Sequence, residues 1–503
     1  MDDLFPAEMT PFNYYALAFS HNNDNDLWVT ILEKAYAKAY GSYHRIIGGD
    51  PVYALRDLTG APYERIEDFK RDPQKKWKLL LDHVRSGYLI CAYTPNGAVT
   101  EEESEEGIVS GHAYALLDAR EVIDSQGRQD QIIQMRNPWG RFEWVGEWGD
   151  ESPLWTPQLR NECKVTVKDD GVFWMPWRKF MQFYSGIGVC KVHPSYKYNA
   201  VTVDQTHQDH HCSMIRVGVP QSGTYIISVD QMDSKFFRHH GYSLSYLRIS
   251  IARAKKNKLQ FIDARLSCER NVFFELNLTE SGDYIVYVEV YWADKDSKLR
   301  QFVVSCYGEH MTDVNLFPYD LNVHDKSEYY IWKDFVSTVR RQNTGRPKLS
   351  IGEQRIIKSS GERIEFIKLS FTDYDYGVFV IILDNTGKKY KQVRKAIEQI
   401  HSLKRVTGFT VLRQPSEVHN QIICTINPQD LEVIIFKMNP EAKDYEADYK
   451  VTKETLVQPT DIHYKELVGM VRNVEVMQPN AWNKMAQLHR ADSFEKSSIG
   501  QSN

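Results

Sequence analysis

Two short stretches of the 503-residue sequence carry the side chains best suited to chemistry. Gly111-His112 opens an apolar stretch, and Arg136-Asn137-Pro138-Trp139-Gly140 follows, with its asparagine 25 residues after the histidine. In thiol catalysis a histidine takes the proton of the nucleophile, and a side-chain amide fixes the tautomer of its ring. A histidine alone on an apolar strand is more often an ordinary core residue, but the Asn-Pro-Trp-Gly stretch favours the catalytic interpretation.

These residue types assign one role to each side chain. His112 is predicted to be a general base, Asn137 to orient its ring, and Trp139 to keep water away from the pair. Two predicted strands, His112–Asp118 and Gln131–Arg136, must hold them. We expect these strands to be neighbours, so that the imidazole and the amide lie within hydrogen-bond reach.

Amphipathic helices are predicted ahead of these strands, over residues 24–40 and 74–86, because apolar residues recur there at three- and four-residue spacing. In the first helix the apolar face is predicted to consist of Trp28, Ile31, Leu32, Ala35 and Ala39. Asn25 or Asp26 is predicted to cap its start, and Gly41 to end it.

From about Pro194 onward, strand-like segments separated by turns dominate the sequence, which is the pattern of an antiparallel β-sandwich. Residues 311–345 are predicted to be a linker with one helix around Tyr329–Arg340. A second β-rich block runs from Lys348 to about Met438, and its turns resemble those of the first.

Composition excludes several classes of protein. A formal charge of −5 argues against a dedicated nucleic-acid binder, which is usually strongly basic. No apolar run approaches the ~20 residues of a membrane-spanning helix. The seven cysteines are scattered, odd in number and without a CxxC pair, which indicates reduced thiols. Together with an acidic N-terminus that has no signal-peptide core, this predicts a cytoplasmic protein.

Taken together, the motifs resemble the calpain family of calcium-dependent cysteine proteases. The resemblance extends over roughly residues 24 to 310. It rests on the His112 and Asn137 motifs and on three further stretches, which are 27–43 (Leu-Trp-Val to Gly-Ser-Tyr), Asp57-Leu58-Thr59-Gly60 and Asp169-Asp170-Gly171-Val172-Phe173-Trp174-Met175. In that family His112 is implied to be the general base, Asn137 its orienting partner and Trp139 the shield.

The resemblance implies an α+β protein with an incomplete papain-like protease core, of which this chain has the β-barrel half. A C2-like antiparallel β-sandwich follows, and a second sandwich-like domain is expected after it. The predicted domains are the protease core at 1–192, the C2-like sandwich at 195–310, the linker at 311–345, the second β-rich domain at 346–440, and a C-terminal extension at 441–503.

The sequence departs from the family pattern at the nucleophile. Family members carry the catalytic cysteine in a Gly-Asp-Cys-Trp segment upstream of the Trp28 helix, with an oxyanion-hole glutamine just before it. The 26 residues before Leu27 include neither Cys nor Gln. Cys91 lies within an apolar strand and is expected to be structural. Two explanations stay open, a natural pseudo-protease and a gene model that lacks an upstream half.

Calcium is a second property that the resemblance implies. Glu143, Asp150 and Asp170 match ligands of the family's protease-core site, and the Lys168 carbonyl could join them. The remaining family glutamate is Val172 here. Because calcium takes ~6–8 oxygen ligands and binds more weakly as ligand charge falls, we expect a weakened or lost site.

The sequence is compatible with three functions. In the first, the chain is the part of a calcium-dependent endopeptidase that acts on protein substrates, with the nucleophile-bearing half supplied upstream or by another chain. In the second, it is a non-catalytic scaffold that docks on other proteins, cytoskeletal ones included. A weaker alternative is a calcium- or lipid-responsive module, for which the basic loop Arg253–Lys258 would approach anionic lipid.

Overall fold

The computed structural model describes residues 4–11, 13, 15–20, 26–69, 71–97, 102–206, 211–237, 242–255, 258–293, 300–342, 353–359, 362–373, 375–384, 396–412, 421–426 and 430–457. The chain divides into two compact units. One is Ile46–Tyr196, and the other joins Met1–Arg45 to Lys197–Asn503.

The first part of the chain contains β1 (Ala7–Met9), β2 (Tyr15–Leu17), α1 (Trp28–Tyr40), α2 (Pro51–Thr59), β3 (Tyr63–Glu67), α3 (Pro73–Arg85), β4 (Leu89–Tyr93), β5 (Ala113–Ile123), β6 (Gln129–Arg136), α4 (Pro157–Glu162), β7 (Val172–Pro176), α5 (Trp177–Phe183) and β8 (Gly186–Cys190). A six-stranded antiparallel sheet in the order β3-β8-β4-β5-β6-β7 is the centre of the Ile46–Tyr196 unit. Helix α3 buries Trp77, Leu80 and Leu81 in the core that this sheet shares with α5.

Helix α1 belongs to the other unit, and its buried face differs from the prediction. The structure buries Thr30, Lys34, Ala37 and Tyr40, whereas Trp28 is 61% exposed. Polar contacts explain the buried face, since the Thr30 hydroxyl donates to the Ser20 carbonyl oxygen at 2.9 Å and the Lys34 ammonium donates to the Leu4 carbonyl oxygen. Gly41 ends the helix with φ +98°, as predicted.

The middle of the chain forms a β-sandwich, as its strand pattern predicts. Its strands are β9 (Lys197–Asp204), β10 (Cys212–Val219), β11 (Gly223–Gln231), β12 (Tyr246–Lys255), β13 (Lys258–Ser267), β14 (Asn271–Leu278), β15 (Gly282–Tyr291), β16 (Gln301–Gly308) and β17 (Asp313–Leu316). The sheets β13-β12-β15-β10-β17 and β14-β11-β16-β9 contribute to one apolar core, in which Val217 and Val286 of the first sheet meet Ile227 and Val304 of the second.

Helix α6 (Leu321–Gln342) and a second pair of sheets follow. The strands are β18 (Glu353–Ser359), β19 (Glu362–Asp373), β20 (Val378–Asp384), β21 (Ala396–Thr407), β22 (Phe409–Val411), β23 (Gln421–Ile426), β24 (Leu431–Met438) and β25 (Glu446–Val457). The sheets β18-β19-β20-β24-β22 and β23-β21-β25 share a core, so the second β-rich block is also a sandwich. Its last strand, β25, lies entirely beyond the predicted boundary at residue 440.

Helix α6 packs on the outer face of this second sandwich. Trp332 and Val336 of the helix share a core with Val380 of β20 and Val433 of β24. In the residues that the structure describes, no helix is both long and apolar enough to cross a membrane. The C-terminal extension beyond residue 457 lies outside the described residues.

Candidate active site

Main-chain hydrogen bonds hold His112 immediately before β5. Its amide donates to the Thr94 hydroxyl at 3.0 Å, and its carbonyl oxygen accepts from the Thr94 amide at 3.0 Å. The Thr94 hydroxyl in turn donates to the Val109 carbonyl oxygen at 2.8 Å. Both His112 and Thr94 are buried. Thr94 lies just past the end of β4, so two neighbouring strands fix the backbone of the histidine.

Asn137 follows β6 directly and is fully buried. Its main-chain amide donates to the Gly171 carbonyl oxygen at 2.8 Å, and its side-chain amide donates to the Phe142 carbonyl oxygen at 3.4 Å. Its side-chain oxygen accepts from the Trp139 amide at 3.1 Å. These contacts identify which atom of the carboxamide is oxygen and aim that oxygen away from Phe142.

The structure brings His112 and Asn137 together, with 2.9 Å between the histidine Nε2 and the asparagine Oδ1. Because Oδ1 can only accept, Nε2 carries the hydrogen, and Nδ1 is the basic nitrogen of the neutral ring. The Trp139 ring lies 4.4 Å from the His112 ring, centroid to centroid, and the Tyr114 ring meets it edge-on at 5.0 Å. Aromatic rings therefore cover the imidazole on two sides, with Trp139 at the position that the sequence predicts.

The three cysteines of the Ile46–Tyr196 unit are all buried free thiols, namely Cys91, Cys163 and Cys190. Cys91 Sγ donates to the Gly188 carbonyl oxygen at 3.5 Å within the sheet. Burial raises the pKa of Cys91 to about 12. Near pH 7 the thiol therefore stays protonated, whereas the thiolate is the reactive form. These contacts are those of a structural cysteine.

Glu143 reaches the turn that precedes β7. One of its carboxylate oxygens, Oε1, accepts from the amides of Asp170 at 2.8 Å and Gly171 at 2.7 Å. Burial raises the pKa of Glu143, as do the charges of Asp150 and Asp170, whereas the two amides lower it, and the net direction is upward.

Asp150 and Asp170 lie near Glu143 around the same turn. Burial raises the pKa of Asp150 to about 6, and the Asp170 charge contributes to the rise. Asp150 Oδ2 accepts from the Lys168 amide at 3.5 Å, and Asp170 Oδ1 accepts from the Val172 amide at 3.1 Å. The three predicted calcium ligands therefore surround one turn, and their oxygens bind its main-chain amides.

This donor set does not complete a calcium site. In the described part of the chain, no group of three or more His, Cys, Asp or Glu side chains is arranged to hold a metal ion. Glu143 Oε1 already has two amide donors, and the valine at position 172 supplies no side-chain oxygen. Calcium prefers a shell of ~6–8 oxygens.

The sequence prediction missed Thr94 and Gly171, which place the two functional side chains. Thr94 carried no signal, because a threonine after a strand is common. Gly171 could have been found, since Asp170-Gly171 is a turn pair. Its φ is +82°, and a Cβ there would lie 2.7 Å from the Asn137 carbonyl oxygen. Only glycine fits both the turn and this close approach.

The three described cations of the predicted basic loop each lie beside a carboxylate. Arg253 and Lys255 each form an ion pair with Glu280, at 2.6 Å and 2.7 Å, and Lys258 lies 3.7 Å from Asp334. Residues 256 and 257 lie outside the described residues.

Comparisons with known proteins agree on one region. The family model described as calpain family cysteine protease matches residues 1–191. The calpain-type cysteine protease DEK1 of Zea mays is 40% identical over 204 residues, which cover 39% of this chain and 9% of DEK1. Calpain-8 of Rattus norvegicus is 35% identical over 184 residues, which cover 35% of this chain and 26% of calpain-8. Calpain-9 of Homo sapiens is 33% identical over 198 residues, which cover 38% of this chain and 28% of calpain-9.

The aligned region thus spans between about a tenth and about a quarter of the length of these relatives. Among solved structures, a clostridial cysteine protease, Cwp84, aligns over 75% of this chain and 70% of its own. That alignment has 10% sequence identity and a TM-score of 0.15.

Proposed function

Since residues 1–191 belong to the calpain family of cysteine proteases, we propose that this chain supplies the base and the orienting amide of a cysteine endopeptidase site. We further propose that none of its seven cysteines is the nucleophile, so that the isolated chain is inactive. The observation that carries the proposal is the 2.9 Å contact between His112 Nε2 and Asn137 Oδ1.

The chemistry follows from the tautomer. With Nε2–H donated to Asn137, His112 presents Nδ1 as the atom that takes the proton of a thiol. The resulting imidazolium keeps its hydrogen bond to the amide oxygen, which stabilises the positive charge. Trp139 and Tyr114 limit the access of water to this bond. Proton transfer of this kind contributes ~10²–10⁴-fold to a rate.

The thiol would come from a protein segment outside this sequence. The buried position of Cys91 and its pKa of about 12 support this part of the proposal, because such a thiol is not deprotonated near neutral pH. The protein substrate would be cleaved only when that segment is bound. We propose that the chain works in the cytoplasm, where thiols stay reduced, and the seven free cysteines support this location.

A second candidate function is a non-catalytic scaffold. We propose it because the two sandwiches and α6 belong to one compact unit, joined by buried ion pairs between Lys437, Glu289 and Glu328. Such a unit suits docking on other proteins, cytoskeletal ones included. In this proposal the Ile46–Tyr196 sheet is the β-barrel half of a papain-like core, and the first sandwich is C2-like, with contact to anionic lipid as a lesser role.

The first experiment tests the isolated chain against an unfolded, fluorescently labelled protein, with and without calcium. We expect no hydrolysis above background. Calcium-stimulated cleavage that is abolished by alkylation and by Cys91→Ala would contradict the proposal, because it would identify Cys91 as the nucleophile.

The second experiment supplies the thiol. A protein segment that contains the Gly-Asp-Cys-Trp motif of a family member is added to the full chain. Cleavage is expected to appear, and His112→Ala is expected to lower it ~10²–10⁴-fold. His44→Ala is the matched control, because His44 is an exposed histidine outside the site. Cleavage that is equal in the His112→Ala and His44→Ala variants would refute the assignment of His112 as the base.

A further inference from the structure

Glu143 lies between the loop that leads to His112 and the turn at Gly171 that bonds to the Asn137 backbone. On one side, its backbone packs against the loop that leads to the histidine, where a Cβ at Gly107 would overlap the Glu143 carbonyl oxygen. On the other side, its carboxylate accepts from the amides of Asp170 and Gly171. One residue therefore joins both halves of the candidate site.

The contact with Gly171 continues directly to the orienting amide. Gly171 accepts a hydrogen bond from the Asn137 main-chain amide at 2.8 Å through its carbonyl oxygen, and donates its own amide to Glu143 at 2.7 Å. The turn at Gly171 thus cannot move away from Glu143 without pulling on the backbone of Asn137. The close approach of Gly171 to the Asn137 carbonyl oxygen leaves little room for a compensating shift.

The resemblance to calpains implies a different role for Glu143, that of a calcium ligand. In this structure the same carboxylate oxygen has two main-chain donors, which satisfy it without a cation. Hydrogen bonds from amides to a carboxylate are charge-assisted and roughly twice as strong as those between neutral groups. The contacts of Glu143 thus fit a structural brace, a side chain that holds the turn at Gly171, better than they fit a calcium ligand.

We propose that Glu143 is a positioning residue for Asn137, and that it acts through the turn at Gly171 without calcium. Its carboxylate holds that turn, the turn holds the Asn137 backbone, and Asn137 Oδ1 holds the Nε2–H tautomer of His112. This inference rests on the proposed function, in which the bond between His112 and Asn137 belongs to the catalytic site.

The test reads the tautomer directly and needs no activity. The full chain is labelled with ¹⁵N-histidine, and the ring signals of His112 are identified by their loss in His112→Ala. In calcium-free buffer the wild type is expected to show a protected Nε2–H proton signal. Glu143→Ala is expected to lose that signal. Glu143→Gln is expected to keep it, because the amide oxygen of glutamine accepts both hydrogen bonds.

Glu151→Ala is the matched control, since Glu151 is an exposed glutamate of the neighbouring loop, and it is expected to keep the signal. If Glu143→Ala does not fold, Glu143→Asp replaces it, because the shorter carboxylate cannot reach both amides and should weaken the signal. Retention of the full signal in either variant would overturn the proposal. Loss in Glu143→Gln would also overturn it, because charge and not hydrogen bonding would then matter.

Two further outcomes separate this inference from the function on which it rests. If the signal appears only after millimolar calcium chloride is added, Glu143 acts as a metal ligand and the brace is refuted. If the wild type lacks the signal with and without calcium, the bond between His112 and Asn137 does not form, and the proposed function fails as well.

Discussion

Replacing Lys437 by methionine should strongly destabilise the unit that contains the two sandwiches. Lys437 lies on β24 of the second sandwich, and its side chain is only 8% exposed. The ammonium pairs with Glu289 of β15 at 2.9 Å and with Glu328 of α6 at 3.1 Å. Arg248 of β12 pairs with Glu289 at 2.8 Å, so the cluster contains two positive and two negative charges.

The size of the destabilisation follows from the balance of these four charges. Lys437→Met leaves a buried negative charge without a partner, which costs ~3–5 kcal/mol of unfolding free energy in comparable buried pairs. At roughly 2–4 °C per kcal/mol, the melting temperature should fall by roughly 6–20 °C. Burial alone would raise the pKa of Glu289, but the charges of Lys437 and Arg248 outweigh burial and lower this pKa to about 2. Glu289 therefore stabilises the fold above its unfolded pKa of ~4.3, and that contribution is lost as the pH falls toward 2.

Thermal unfolding of the full chain, followed by calorimetry, measures the effect. Lys443→Met is the matched control, because Lys443 is exposed, and it should change the unfolding free energy by less than ~0.5 kcal/mol. The double variant Glu328→Gln/Lys437→Met leaves Arg248 and Glu289 as a balanced pair. It should therefore be less destabilised than Lys437→Met alone.

Two results would refute this reasoning. If Lys437→Met and Lys443→Met were equally stable, the buried ion pairs would contribute nothing to the junction between the sandwiches. If the double variant were less stable than Lys437→Met, the cost would come from lost packing and not from the unpaired charge.

Two further predictions concern the carboxylates near Glu143. Calcium binding to the unmodified chain should be absent or no tighter than ~10⁻⁴–10⁻³ M, and Val172→Glu should strengthen it. Calorimetry that finds micromolar binding without the substitution, lost on Asp170→Ala, would contradict this. Asp150→Asn should stabilise the protein at pH 7. The pKa of Asp150 is about 6 in the folded state and ~3.9 in the unfolded state, so folding disfavours the ionised carboxylate. The gain should disappear below about pH 4, where Asp150 is protonated in both states, and an equal gain at pH 3 and pH 7 in thermal melts would rule out this cause.

The sequence predicts the pair His112 and Asn137 well, because short-range patterns encode it. Both residues lie at strand ends, and β5 and β6 are consecutive antiparallel neighbours in the sheet. The strand pattern after residue 194 also predicts a sandwich correctly, since alternation and turns are local signals. The second β-rich block has similar turns between its strands and also folds into two packed sheets.

Features that depend on distant partners could not be read from the sequence. Helical spacing identified an apolar face on α1, yet the buried face contains Thr30 and Lys34, because the segment 4–20 offers carbonyl groups to them. The ion pairs of Lys437 join residues 109 and 148 positions apart, and no local pattern signals such a contact. Burial of a charge is decided by the arrangement of strands and helices in space.

The geometry of the His112 and Asn137 pair and the activity of the site are physically separable. Thr94 and Gly171 fix the two backbones through main-chain hydrogen bonds, and Trp139 adds a main-chain contact to the asparagine oxygen. None of these contacts involves a thiol, so the pair keeps its arrangement whether or not a nucleophile is present. The proposed base and its orienting amide are therefore in place before any thiol is added. Cleavage that appears when the thiol is supplied and is lost in His112→Ala separates the endopeptidase from the scaffold.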